Sequence, residues 1–268
     1  MKSAATTFLR TAAMAAVLGS AGLFAGTPSP SSKSVVVPPE PPPEKPWYVT
    51  VAAYGWLGAV NGETGIGPIT VSADTSLNDL IDEFDGSFMT YIEAGCDRWS
   101  LGLDVIWGKL KDDASVERGP FFGKVGFEQE QWVITARIQY ALIKNDTTRL
   151  DVFAGGRWMY LEVDIDVDTN LGPGRHFGIK EDWIDPIVGA RVIHDFTDKC
   201  FVQVMGDIGG FGVESELTWQ ALVGLGYRFN PKLSTVIGYR ALGVDYDKDQ
   251  FLLDTISHGP FVGLSYTF

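Results

Sequence analysis

The chain has 268 residues, a net charge of −13, 45% hydrophobic residues, 33 aromatics and only two cysteines. That balance excludes a disulfide scaffold and an aromatic-poor disordered tail. The acidic excess also excludes a general nucleic-acid binder, which needs clustered Lys and Arg against phosphate.

Residues 1–25 read as a secretory signal. Lys2 and Arg10 precede an apolar run from Thr11 to Gly26 that is too short to span a bilayer as a helix. Residues 26–46 hold eight of the fourteen prolines, so this stretch reads as an extended periplasmic tether. Residues 47–268 are expected to form one β-domain, because no later run has the length of a membrane helix and the apolar residues recur with period two.

Thr218–Phe229 shows the pattern: Trp219, Ala221, Val223, Leu225, Tyr227 and Phe229 share one face, with Thr218, Gln220, Gly224, Gly226 and Arg228 opposite. Trp99–Gly108 and Gln131–Leu142 repeat it, as do Leu150–Tyr160, Ile184–His194, Phe201–Phe211, Leu233–Tyr246 and Pro260–Phe268. Large aromatics recur eight residues apart on the greasy faces, at Trp99 and Trp107, Trp132 and Tyr140, Trp219 and Tyr227. Eight residues of a strand tilted by about 40° climb roughly 20 Å, close to the apolar band between the aromatic girdles of a membrane barrel. The greasy side is therefore expected to face lipid.

The polar faces carry small residues two places before arginines: Thr135 and Arg137, Gly155 and Arg157, Gly189 and Arg191, Gly226 and Arg228, Gly238 and Arg240. Each small residue is read as leaving room for a guanidinium. Glu93, Asp104, Asp151, Asp185 and Asp207 occupy the same faces, so the expected lumen is an Arg–carboxylate network in which enclosed charges are paired.

Counting connections gives an all-β, transmembrane, antiparallel up-and-down barrel of about ten strands. Short periplasmic turns fall at Asp97–Arg98, Lys144–Arg149, Asp195–Lys199 and Asn230–Lys232. Outer loops fall at Asn61–Asp85, Asp112–Glu130, Glu162–Asp182, Val213–Glu216 and Asp245–Asp254. The loops hold 23 acids against five bases, which implies a strongly acidic outer surface that could attract divalent cations bridging to lipopolysaccharide. In the first loop, Ser76 caps an expected short helix through Phe84, whose apolar stripe would meet Phe211, Leu242 and Val244 at the outer mouth. Cys96 and Cys200 fall on the second and seventh strands, too far apart for a disulfide.

The C-terminal segment His258–Phe268, with Gly263, Leu264, Tyr266 and terminal Phe268, resembles the C-terminal recognition strand of Gram-negative outer-membrane β-barrel proteins, although Phe261 stands where that pattern prefers a polar residue. Trp183–Arg191, Gly206–Gly212 and the two Gly-Tyr-Arg segments resemble a large, poorly characterised group of such barrels. The resemblance implies outer-membrane lipid and lipopolysaccharide as surroundings and insertion by the barrel assembly machinery. It supplies no activity.

No acid, base and nucleophile converge in the sequence, and neither a catalytic residue, a metal site nor a cofactor is expected. The resulting expectation is a structural or surface protein, or a narrow pore. The alternative is an outer-membrane hydrolase acting on lipid A or peptide at the outer loops, with His176 as its candidate base.

Overall fold

The computed structural model describes residues 47–66, 69–72, 84–118, 121–169, 172–248 and 251–268. The expected signal and tether lie outside the described residues. So does most of the expected helix; its last residue, Phe84, opens a strand.

Twelve strands form: β1 Trp47–Trp56, β2 Ala59–Ile66, β3 Ile69–Ser72, β4 Phe84–Cys96, β5 Trp99–Arg118, β6 Phe121–Lys144, β7 Thr148–Thr169, β8 Gly172–Asp195, β9 Cys200–Gly210, β10 Leu217–Arg228, β11 Leu233–Lys248 and β12 Phe251–Thr267. Neighbours from β4 to β12 pair antiparallel in sequence order, and β1 pairs with both β4 and β12, which closes the sheet on itself. β1 and β2 are one wall interrupted at Leu57–Gly58. Both pair with β12 in a single register, Thr50 opposite Thr267 and Ala59 opposite His258. The interruption has a chemical cause: Leu57 donates to the Pro260 carbonyl at 3.0 Å, and proline has no N–H to return the bond. The fold is thus a closed barrel of ten strands, with β3 an extra short strand added to the edge of β2.

Closure gives every wall a hydrogen-bonded neighbour on both sides, and alternation then decides which side chains are enclosed. Leu101, Ile138, Ile184, Val223, Leu225, Ile237 and Leu264 face outward and are exposed, whereas Thr135, Arg137, Asp151, Arg157, Asp185 and Arg191 face inward and are buried. This is the polarity that the greasy and polar faces predict. Aromatic pairs mark the two ends of the apolar belt: Trp99 on Tyr140, Tyr227 on Phe229 and Tyr266 on Phe268 at the short-turn end, and Trp107 on Trp132 at the other.

The connections at the short-turn end match expectation, with tight turns after β4, β6, β8 and β10. Cys96 and Cys200 are unbridged there. At the opposite end the expected long loops are largely strands. β5 to β8 run for 20, 24, 22 and 24 residues, about twice the 9–11 that a transmembrane strand needs. Residues 112–118 pair with 121–127, 162–169 with 172–180 and 245–248 with 251–254, so the described residues of the expected loops prolong the barrel wall. Their charges hide the strands in the sequence, because closely spaced acids such as Glu162, Asp164 and Asp166 read as a solvated loop. Phe211, expected inside, is exposed in the turn after β9 with a positive φ of 53°.

The small residues beside the arginines serve another purpose than the one expected. A Cβ on Gly226 would meet the Phe201 ring at 2.1 Å, and one on Gly189 would meet Phe153 at 2.5 Å. Each glycine is the cross-strand partner of the ring that covers it. Gly238 is similarly covered by Phe261, which accounts for the aromatic residue where the C-terminal pattern prefers a polar one. Inward aromatics lie flat over glycines and fill the wall, an aromatic rescue of strand glycine. None of the four glycines paired with arginines faces a guanidinium, and Gly155 instead sits against the Ala136 carbonyl; Gly102, outside those pairs, faces that of Arg137. Gly226→Val should therefore overpack the wall and cost about 1–3 kcal/mol, read as a lower urea midpoint for loss of the folded band on unheated gels, with Gly108→Val, where a Cβ meets nothing, as the neutral control.

Candidate functional site

The lumen is layered. Nearest the short turns, Glu93 accepts from Tyr48 at 2.6 Å, Tyr91 at 2.5 Å, Gln139 at 3.2 Å and Arg191 at 2.7 Å. Arg191 also reaches Asp151 at 2.8 Å, and Arg149 holds the other Asp151 oxygen at 2.8 Å. Higher up, Arg240 spans to Asp104 at 2.9 Å, Tyr54 at 2.9 Å and Gln220 at 2.6 Å. In the same layer Arg157 donates to Asp207 at 2.6 Å, Thr218 at 2.9 Å and Thr135 at 3.4 Å. Arg157 and Asp151 have no exposed surface at all. Charges so enclosed persist only when paired and hydrogen-bonded.

All ten predicted network residues point inward, and the structure refines their partners. Arg228 sits at the short-turn mouth, where it pairs with Asp195 at 2.9 Å and lies over Phe201. Asp185 has no arginine partner. It accepts from the Ser215 backbone at 2.8 Å, the Ser215 hydroxyl at 2.6 Å and the Trp183 indole at 3.1 Å. Arg137 has no carboxylate partner: it lies between the rings of Tyr91 and Phe153, 5.0 Å from each centroid, and its Nη1 is 2.9 Å from the Met205 sulfur. Arg149 and Asp195, which the sequence places at turns where side chains are ordinarily solvated, also belong to the network. The tyrosines Tyr48, Tyr54 and Tyr91 were readable only as members of alternating faces.

Above the charged layers the lumen turns apolar. Ile106, Val133, Met159, Leu161, Trp183, Leu242, Val244, Tyr246, Phe251 and Leu253 form one buried cluster, joined by Tyr54, Trp56 and Met89. Trp183 stacks on Tyr246 with ring centroids 4.2 Å apart. Leu242 and Val244 point inward as expected, and they pack into this cluster. Toward the short turns the lumen instead opens into a cavity of about 300 Å³.

The three histidines lie on outward faces. His194 bonds Thr148 at 2.9 Å, and His258 sits between Tyr239 at 2.6 Å and Asn61 at 2.9 Å. His176, on a hairpin extension, faces Asp166 at 2.9 Å and Asp164 at 3.3 Å. Among the described residues, no group of three or more His, Cys, Asp and Glu side chains is arranged to hold a metal.

No protein-family model matches the chain, and no curated protein matches it. Solved structures do. The translocator domain of the autotransporter NalP from Neisseria meningitidis is 12% identical with a TM-score of 0.45, over 83% of this chain and 88% of that one. Neisserial surface protein A is 13% identical with a TM-score of 0.29, over 83% and 97%. Ail, the attachment invasion locus protein of Yersinia pestis, is 10% identical with a TM-score of 0.34, over 83% and 98%. These neighbours are Gram-negative outer-membrane β-barrels.

Two measurements check the electrostatics. Removing one partner of a buried pair strands the other, so Asp207→Asn should cost about 3–5 kcal/mol, while the paired change Arg157→Met with Asp207→Leu should recover most of it; urea midpoints of the two variants decide. The Asp166 hydrogen bond holds the His176 imidazole above its usual value. His176 therefore adds stability that is complete below the unfolded value near 6.5 and fades as pH rises through the higher folded value. An NMR titration should place its midpoint above 6.5, and Asp166→Asn should lower it.

Proposed function

We propose that the chain is an outer-membrane barrel that works as a closed surface protein rather than as a pore. The apolar cluster carries this reading. Ten buried hydrophobic side chains from β5, β6, β7, β8, β11 and β12 meet across the lumen directly above the arginine layers. Water and ions crossing such a constriction would have to leave their hydration behind without receiving polar partners in exchange.

The outward apolar belt and its aromatic rims support the membrane location, since a water-soluble barrel would bury those side chains and expose its arginines. The short turns then face the periplasm, the N-terminal segment begins there, and the tall acidic hairpins stand on the cell surface. In this reading the exposed Leu264, Tyr266 and Phe268, with Gly263 on the inner face, serve the barrel assembly machinery. Lipopolysaccharide meets the outer rim, where divalent cations would bridge its phosphates to the acidic hairpins.

The purified protein in planar bilayers should give no resolvable conductance steps. Trp183→Ala combined with Tyr246→Ala, which opens the stacked pair across the constriction, should produce them. Steady conductance by the unaltered protein would overturn the closed reading, and its absence from the outer-membrane fraction of cells would overturn the location.

A further inference from the structure

We infer that the cavity at the short-turn end is a binding site for a small monoanion, a single carboxylate on a short apolar body, and that Arg137 is its anchor. The inference goes beyond the closed-barrel reading and rests on the lumen itself.

The charge arrangement is the first reason. Five guanidiniums line the cavity, those of Arg137, Arg149, Arg191, Arg228 and Arg240. The carboxylates that pair with them are Glu93, Asp104, Asp151 and Asp195. Arg157 and Asp207 neutralise each other above. Among the described residues, five against four leaves one positive charge, and the guanidinium without a carboxylate is Arg137. The lumen's spare acid, Asp185, is committed to Ser215 and Trp183 and does not reach it.

The second reason is an unmet donor. Arg137 is only 6% exposed, it lines the cavity, and its Nε has no hydrogen-bond partner. The Nε of Arg240, also buried and on the cavity wall, is likewise without one. A buried donor left unmade destabilises the site, more so when charged, and a carboxylate is the natural counter-charge of a guanidinium. The Tyr91 and Phe153 rings, each with its centroid 5.0 Å from the Arg137 guanidinium carbon, supply it with π faces and no counter-charge.

The third reason concerns the rest of the ligand. Ile193, Phe201, Met205, Leu222, Val236 and Phe261 supply apolar wall, so an apolar body is accommodated better than a bare hydrated ion. A volume of about 300 Å³ sets the scale of a small molecule. Entry is from the short-turn side, where Arg228 keeps 31% and Arg149 21% of its side-chain exposure and would draw an anion inward, because the apolar cluster closes the other direction.

Calorimetry on the full chain in lipid nanodiscs tests this with 4-phenylbutyrate, 4-phenylbutanol and acetate as probes. The structure predicts saturable binding of 4-phenylbutyrate, at least tenfold weaker binding of the alcohol that lacks the charge, and at least tenfold weaker binding of acetate that lacks the body. Arg137→Met should lower 4-phenylbutyrate affinity at least tenfold while the heat-modifiable gel shift is retained. If that variant fails to fold, Val236→Phe, which fills the wall and leaves every charge in place, should cause the same loss. No binding, equal binding of acid and alcohol, or binding unaffected by a folded Arg137→Met or Val236→Phe overturns the site. Acetate binding as tightly as 4-phenylbutyrate overturns the apolar-body assignment.

Discussion

Enclosed charge is the constraint from which the rest of this barrel is arranged. Once ten strands close, an arginine deep in the lumen is cut off from bulk water, and its counter-charge comes from another wall. Arg191 on β8 reaches Glu93 on β4, Arg240 on β11 reaches Asp104 on β5, and Arg157 on β7 reaches Asp207 on β9. These bonds cross the lumen and tie non-neighbouring strands together. The sheet ladder joins only neighbours, so the ion pairs set the barrel's cross-section in a way that backbone hydrogen bonds cannot.

The same constraint explains the aromatic and glycine content of the inner wall. Arginine, tyrosine and glutamine side chains converging from ten strands leave uneven gaps. Phe153, Phe201 and Phe261 close them by lying over the glycine opposite, Gly189, Gly226 and Gly238 in turn. Above them the lumen changes character, and a layer of apolar and aromatic side chains fills it, with the Trp183 indole bonded to Asp185 and Ser215. The charged layers hold the walls together, and the apolar layer seals them.

Much of this was legible beforehand because period two is a strong signal where one face meets an apolar surround and the other is enclosed. The turns Asp97–Arg98 and Asn230–Lys232, the inward sides of Arg157 and Asp185, and the outward sides of Leu264 and Phe268 follow from parity and turn chemistry alone. The hairpin extensions did not, since the acids that alternate with Val and Ile from Glu162 to Asp168 read as a solvated loop. Nor did the interruption after Trp56, whose cause is Pro260, about two hundred residues away in sequence and directly across the ladder in space.

The sequence by itself determined the strand period, the sidedness of each strand and the kinds of charge to be enclosed, because these depend on residues two apart on one strand. Tertiary structure alone decided which charges meet. Pairing depends on the register and height of strands distant in sequence, so Arg228 finds Asp195 from a turn, Asp185 is satisfied by a serine and an indole, and Arg137 is left with aromatic rings and a sulfur in place of a carboxylate. Parity fixes a direction for each side chain, whereas only closure of the barrel fixes the distance to its partner.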